Sequence, residues 1–186
     1  MTEEWTVRRI SRAMVPLLLV LTVVELGSGL VLSAFEERLL SAPSLLVLLP
    51  VTIGTAGNLG SVLASRLSTA FHLGTLSFSP TDDDLAGNAL ATVALALTLF
   101  PAVGLGAWAL AGLTGSTALP PGTVLLIAVS SGVTLAVLAV AVTLTATYAA
   151  YRLSLDPDDV VIPVVTNVCD VLGVLVLFAA VLAFAP

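Results

Sequence analysis

Apolar residues fill long, nearly uninterrupted stretches of this 186-residue chain, and charged residues occur in small groups between them. A helix needs roughly 20 apolar residues to cross the hydrocarbon core of a bilayer, and several of these stretches are that long. Because charges are costly in hydrocarbon, the charged groups mark where the chain leaves the bilayer. The pattern predicts an all-α integral membrane protein in which residues 1–186 form a single transmembrane domain.

The positions of the charges predict five membrane spans. Glu36, Glu37 and Arg38 close the first span, and a group of aspartates at 82–84 precedes the third. The stretch 85–151 has no formal charge, and a turn-forming segment, "GLTGSTALPPGT", divides it into two crossings. The predicted spans are approximately 13–34, 43–70, 85–111, 122–151 and 158–184.

The arginines predict the orientation of these spans. With five crossings the two termini lie on opposite sides of the bilayer. A cytoplasmic N-terminus places all but one of the arginines inside, leaving only Arg38 outside, as the positive-inside rule favours. The inside set is Arg8, Arg9, Arg12, Arg66 and Arg152. We therefore expect a multi-pass protein of the plasma membrane with its N-terminus inside and its C-terminus outside.

The composition narrows the possible functions. Apolar residues make up 58% of the chain and charged residues 10%, against about 25% charged in soluble proteins. The net charge is −6 and there is no lysine, which argues against nucleic acid as a partner. The sequence shows no nucleophile with a base, no Cys/His cluster and no glycine-rich nucleotide loop, so we expect neither an enzyme nor a nucleotide-binding protein.

Two carboxylates, Glu25 and Asp170, fall inside predicted spans, and no basic residue lies within any span to pair with them. An ionisable group inside a membrane span usually faces the interior of a helix bundle or a water-filled path. Both residues are therefore candidates for an ion pathway. The structural alternatives are a protonated or locally paired carboxyl group, or a span boundary that lies elsewhere.

Polar and small residues cluster around these two carboxylates. In the fifth span, residues three, four or seven positions from Asp170 share its helix face. They are Pro163, Thr166, Asn167 and Gly173. In the second span, Asn58 lies among residues that allow close helix approach and local unwinding. These are Pro50, Gly54, Gly57 and Gly60. A direct ligand role for Asn58 and a packing role are equally compatible with the sequence.

The chemistry of this set favours a hard divalent cation. Carboxylate, amide and carbonyl oxygens are the ligands that Mg²⁺, Ca²⁺ and Mn²⁺ prefer. One Asp170 per chain is a sparse site, but a twofold dimer would bring two copies of it together. Because Mg²⁺ loses its water reluctantly, we expect a largely hydrated ion held through its waters.

Two motifs resemble those of one transporter family. "LLPVTIGTAGNLGSVLASRL" is similar to the Pro…Gly-Gly-Asn-x-Gly…Arg motif in the second helix of MgtE-type magnesium channels and transporters. "LSLDPDDVVIPVVTNVCDVLGVLVLF" resembles the closing Asp-Pro…Pro…Asp-x-x-Gly motif of that family's fifth helix. The chain departs from the family at Ala56, often glycine, and at Ile162, often asparagine.

The resemblance implies a dimer of identical or closely related chains, with a cation pathway between the fifth helices. The family's pore aspartate corresponds to Asp170, its neighbouring backbone oxygen to Thr166, and its glycine-asparagine motif to Gly57 and Asn58. Glu25 resembles the first-helix Glu-x-x-x-Gly of the archaeal and eukaryotic branch. We expect a transmembrane domain without the cytoplasmic N-terminal and CBS domains of bacterial members.

Three functions remain open from the sequence. The first is a Mg²⁺ channel or facilitator, which could also pass Mn²⁺, Ca²⁺ or Co²⁺. The second is a divalent-cation exchanger coupled to Na⁺ or H⁺ through Glu25 or Asp170. The third is a non-transporting membrane partner subunit in which Asp170 only joins helices.

Overall fold

The computed structural model describes residues 7–79, 82–115 and 118–185. These form six α-helices and, within the described ranges, no strand. The helices are α1 (Val7–Ala34), α2 (Glu36–Ser41), α3 (Pro43–His72), α4 (Asp83–Leu113), α5 (Pro121–Leu153) and α6 (Pro157–Phe184). All except α2 are long and apolar enough to cross a membrane, so the prediction of an all-α protein with five spanning helices is confirmed.

The helix ends follow local sequence signals. Pro43 occupies the first turn of α3, where its missing N–H is not needed. The side chain of Asp82 accepts a hydrogen bond from the backbone N–H of Leu85 and caps α4. The charged residues after the first span, expected to form a simple connection, instead form the short helix α2. Part of the predicted turn at 112–123, residues 116 and 117, lies outside the described residues.

The helices pack as a four-helix bundle with one peripheral helix. Helices α3, α5 and α6 all contact one another, and α4 packs on α3 and α5. Among the described residues, α1 contacts only α6 and α2. The first spanning helix is therefore attached to the bundle along α6 alone.

Glycines permit the close approach of helices within the bundle. A Cβ atom added at Gly104 would lie 2.8 Å from the Ala128 side chain, and one added at Gly132 would overlap the ring of Phe100. Small residues allow backbones to approach in this way in membrane proteins. Pro50 and the glycines of α3 would allow local unwinding, but α3 runs unbroken through Pro50, and α6 likewise runs unbroken through Pro163.

Candidate functional site

The side chains of Glu25 on α1 and Asp170 on α6 lie close enough for their carboxyl groups to interact, and both are half-buried. An ionised carboxylate can only accept a hydrogen bond. Two such groups therefore approach only when a proton or another cation lies between them. The sequence did not predict that these two intramembrane acids meet. Together they form one pair that favours a cation between its carboxyl groups.

The packing of α1 determines where Glu25 points. Residues Leu17, Leu21, Glu25 and Ser28 recur every three or four positions and are the shielded residues along this part of the helix, whereas most of the others are exposed. Since α6 is the only long helix that α1 contacts within the described chain, this stripe faces α6. Glu25 therefore lies on the single packed face of its helix.

Three further predicted residues lie near Asp170 on α6. Pro163, Thr166 and Asn167 are half-buried and share its face. The Thr166 hydroxyl donates to the carbonyl oxygens of Ile162 and Pro163, at 3.0 and 3.1 Å, so its hydrogen is already used. The side-chain oxygen of Asn167 is buried and has no hydrogen-bond partner among the described residues. It remains an acceptor one turn from the carboxyl pair.

The glycines of the two motifs hold α3 against α6. A Cβ atom on Gly57 would lie 4.0 Å from that of Cys169, and one on Gly60 would overlap Val165. Gly173 faces Ile53, where an added Cβ would come within 2.6 Å of the side chain. These three glycines act in packing and position the backbone of α6.

The remaining motif residues of α3 lie on another face of that helix. Pro50, Gly54 and Asn58, spaced four residues apart, are all exposed. An added Cβ at Gly54 would meet nothing within 4 Å. Asn58 borders a shallow groove together with Leu99 of α4. Within one chain, Asn58 therefore turns toward α4 and not toward the face of α3 that packs on α6.

A second group of possible metal ligands lies at the junction of α3 and α6, away from Asp170. One ligand atom from each of His72, Asp156 and Asp158 lies within 4.8 Å of the other two. The sequence favours an interfacial position for His72 and a capping role for the aspartates, with the sensing of divalent ions by the acidic loops as the alternative hypothesis. In the sequence, the "LDPDD" segment before the fifth span is the available signal for this group. The contribution of His72 could not be predicted, because its approach to the aspartates depends on tertiary packing.

Comparison with known proteins supports the resemblance seen in the motifs. Residues 49–180 match the MgtE family, which is described as divalent cation transporters. The match includes Asn58 and Asp170, whereas Glu25 precedes it. No curated protein matches the chain.

Proposed function

Because this chain belongs to the MgtE family of divalent cation transporters, we propose that it carries Mg²⁺ across the membrane through a pathway between two copies of the chain. Asp170 is the central ion ligand in this proposal, and Glu25 acts with it. The observation that carries the proposal is the pairing of these two carboxyl groups where α1 meets α6 of the bundle.

The ligand chemistry supports a hydrated, hard cation. Glu25 and Asp170 supply carboxylate oxygens, and the unpartnered oxygen of Asn167 adds a neutral acceptor nearby. The backbone of Thr166 lies one turn from Asp170 and completes the oxygen-rich face. Mg²⁺ keeps most of its water and is commonly bound through one or two carboxylates, which suits such a site. Transport also requires that the ion be held weakly enough to leave.

The exposed face of α3 supports a dimer. Pro50, Gly54 and Asn58 present small and polar surface where a lipid-facing helix would ordinarily be apolar. In a twofold dimer this stripe would meet a partner, either a second copy or a closely related chain, and Asn58 would approach the pathway from there. The arginine distribution supports a plasma-membrane protein with a cytoplasmic N-terminus.

Coupled exchange is a second candidate function, and the carboxyl pair favours it specifically. A proton shared between Glu25 and Asp170 would have to leave when a divalent cation binds. Such a site exchanges H⁺ for the cation, and Na⁺ could take the same place. A steep dependence of uptake on pH or Na⁺ gradients would identify this mechanism.

Reconstituted uptake tests the proposal. The protein in liposomes would be assayed with Mg²⁺, Mn²⁺, Ca²⁺ and Co²⁺, with and without a membrane potential, alongside Asp170→Asn. We expect Mg²⁺ uptake by the wild type and loss of most of it in Asp170→Asn, which removes the charge but keeps the side-chain size. Full uptake by a folded, dimeric Asp170→Asn protein would overturn the proposal.

A further inference from the structure

His72, Asp156 and Asp158 form a compact group where α3 ends and α6 begins. Zinc-type ions bind histidine nitrogen and carboxylate oxygen at about 2.0–2.2 Å, which places neighbouring ligand atoms about 3–4 Å apart. The 4.8 Å span of the three ligand atoms is therefore close to that needed around one ion. The group lies in water, since the side chains of His72 and Asp156 are 49% and 44% exposed.

The local fold brings the two aspartates to this point. Ser154 ends α5 with a left-handed backbone at φ 52°, and the N–H of Leu155 then bonds back to the carbonyl of Ala150. This sharp turn leads directly into α6, where the Asp156 carboxylate accepts from the backbone N–H of Asp158 at 3.0 Å. The carboxylate of Asp156 is thereby fixed in orientation.

The contacts of His72 indicate which ring nitrogen faces the aspartates. Nδ1 lies 2.9 Å from the carbonyl oxygen of Ser68, which can only accept, so Nδ1 carries the hydrogen. Nε2 then faces Asp156 Oδ1 at 3.7 Å, too far for a hydrogen bond. Histidines that bind metals usually donate their other N–H to a backbone carbonyl or carboxylate in this way.

We propose that His72, Asp156 and Asp158 bind a borderline divalent transition-metal ion such as Zn²⁺ or Co²⁺. One imidazole nitrogen and two carboxylate groups converge on this point, and an imidazole ligand favours transition metals over Mg²⁺. Three protein ligands leave room for water on the ion. The bound ion joins the end of α3 to the start of α6, and this site is independent of Asp170.

Cobalt binding tests this proposal directly. The full chain in detergent, with Mg²⁺ in excess, would be titrated with Co²⁺ while its visible absorption is recorded, and Zn²⁺ would then be added in competition. We expect a saturable Co²⁺ spectrum with nitrogen ligation that Zn²⁺ displaces. His72→Ala and, separately, Asp158→Asn should each weaken Co²⁺ affinity by about tenfold or more.

A control variant separates this site from other acids. Asp84→Asn removes an exposed carboxylate at the start of α4, where the described residues provide no histidine. It should bind Co²⁺ as the wild type does. Unchanged Co²⁺ affinity in folded His72→Ala and Asp158→Asn proteins, or equal loss in Asp84→Asn, would overturn the proposal.

Discussion

Helix α1 and the α3–α6 bundle differ in how tightly they are packed. Glycines inside the bundle lie against neighbouring side chains, as Gly132 does against Phe100. In α1, added Cβ atoms at Gly27 and Gly29 would meet nothing within 4 Å. A closely packed core therefore adjoins a helix that contacts only α6 and α2 within the described chain.

The carboxyl pair lies across the boundary between these two regions. Asp170 belongs to α6, which the bundle holds on several sides, whereas Glu25 belongs to the peripheral helix. A small displacement of α1 would change the separation of the two carboxyl groups without repacking the bundle. In the proposed pathway, Asp170 would therefore be the more firmly held carboxyl group and Glu25 the one that can adjust its position.

The largest expected effect comes from filling a bundle glycine. Gly132→Ala would force a methyl group into the ring of Phe100 and should destabilise the protein by about 1–3 kcal/mol, as overpacking typically does. The thermal midpoint of the purified protein in detergent measures this.

The matched control for that substitution is Gly29→Ala in α1. Nothing lies within 4 Å of the added methyl group, and alanine favours helix by up to about 1 kcal/mol relative to glycine. The thermal midpoint should stay the same or rise. If both variants lost the same stability, the distinction between a tight bundle and a loosely packed α1 would be wrong.

A smaller effect is expected at Asp82, outside the membrane-spanning segments. Its pKa is lowered by the hydrogen bond from the Ser77 side chain and then by the backbone N–H of Leu85. A lowered pKa in the folded state means that the ionised form stabilises the α3–α4 connection. That contribution is present above the unfolded pKa and is lost as pH falls through the folded pKa.

Hydrogen exchange near Ser77 and Leu85 measures the Asp82 effect. Protection should decline in the wild type when the pH is lowered below the usual aspartate range. Asp82→Ala should already be weakly protected at neutral pH and respond less to acid. Equal acid dependence in the two proteins would show that another group controls this connection.

The five spanning helices could be predicted because charges are excluded from hydrocarbon and therefore mark the helix ends. The short helix α2 could not, since its charged residues resemble those of a loop. The pairing of Glu25 with Asp170 also escaped prediction, because it depends on which face α1 turns to α6. Helix periodicity placed Thr166 and Asn167 on the same face of α6 as Asp170, in agreement with the structure. It could not show that Asn58 lies on a face of α3 other than the one that packs on α6.

Complementary length changes at Glu25 and Asp170 test the central claim most directly. Glu25→Asp shortens one side chain by a methylene group and Asp170→Glu lengthens the other, while both keep their charge. If the two carboxyl groups form one ion site, each single variant should lower reconstituted Mg²⁺ uptake and the double variant should recover much of it. Independent sites would instead give a double variant whose loss is the sum of the two single losses in free energy, and that result would contradict the account.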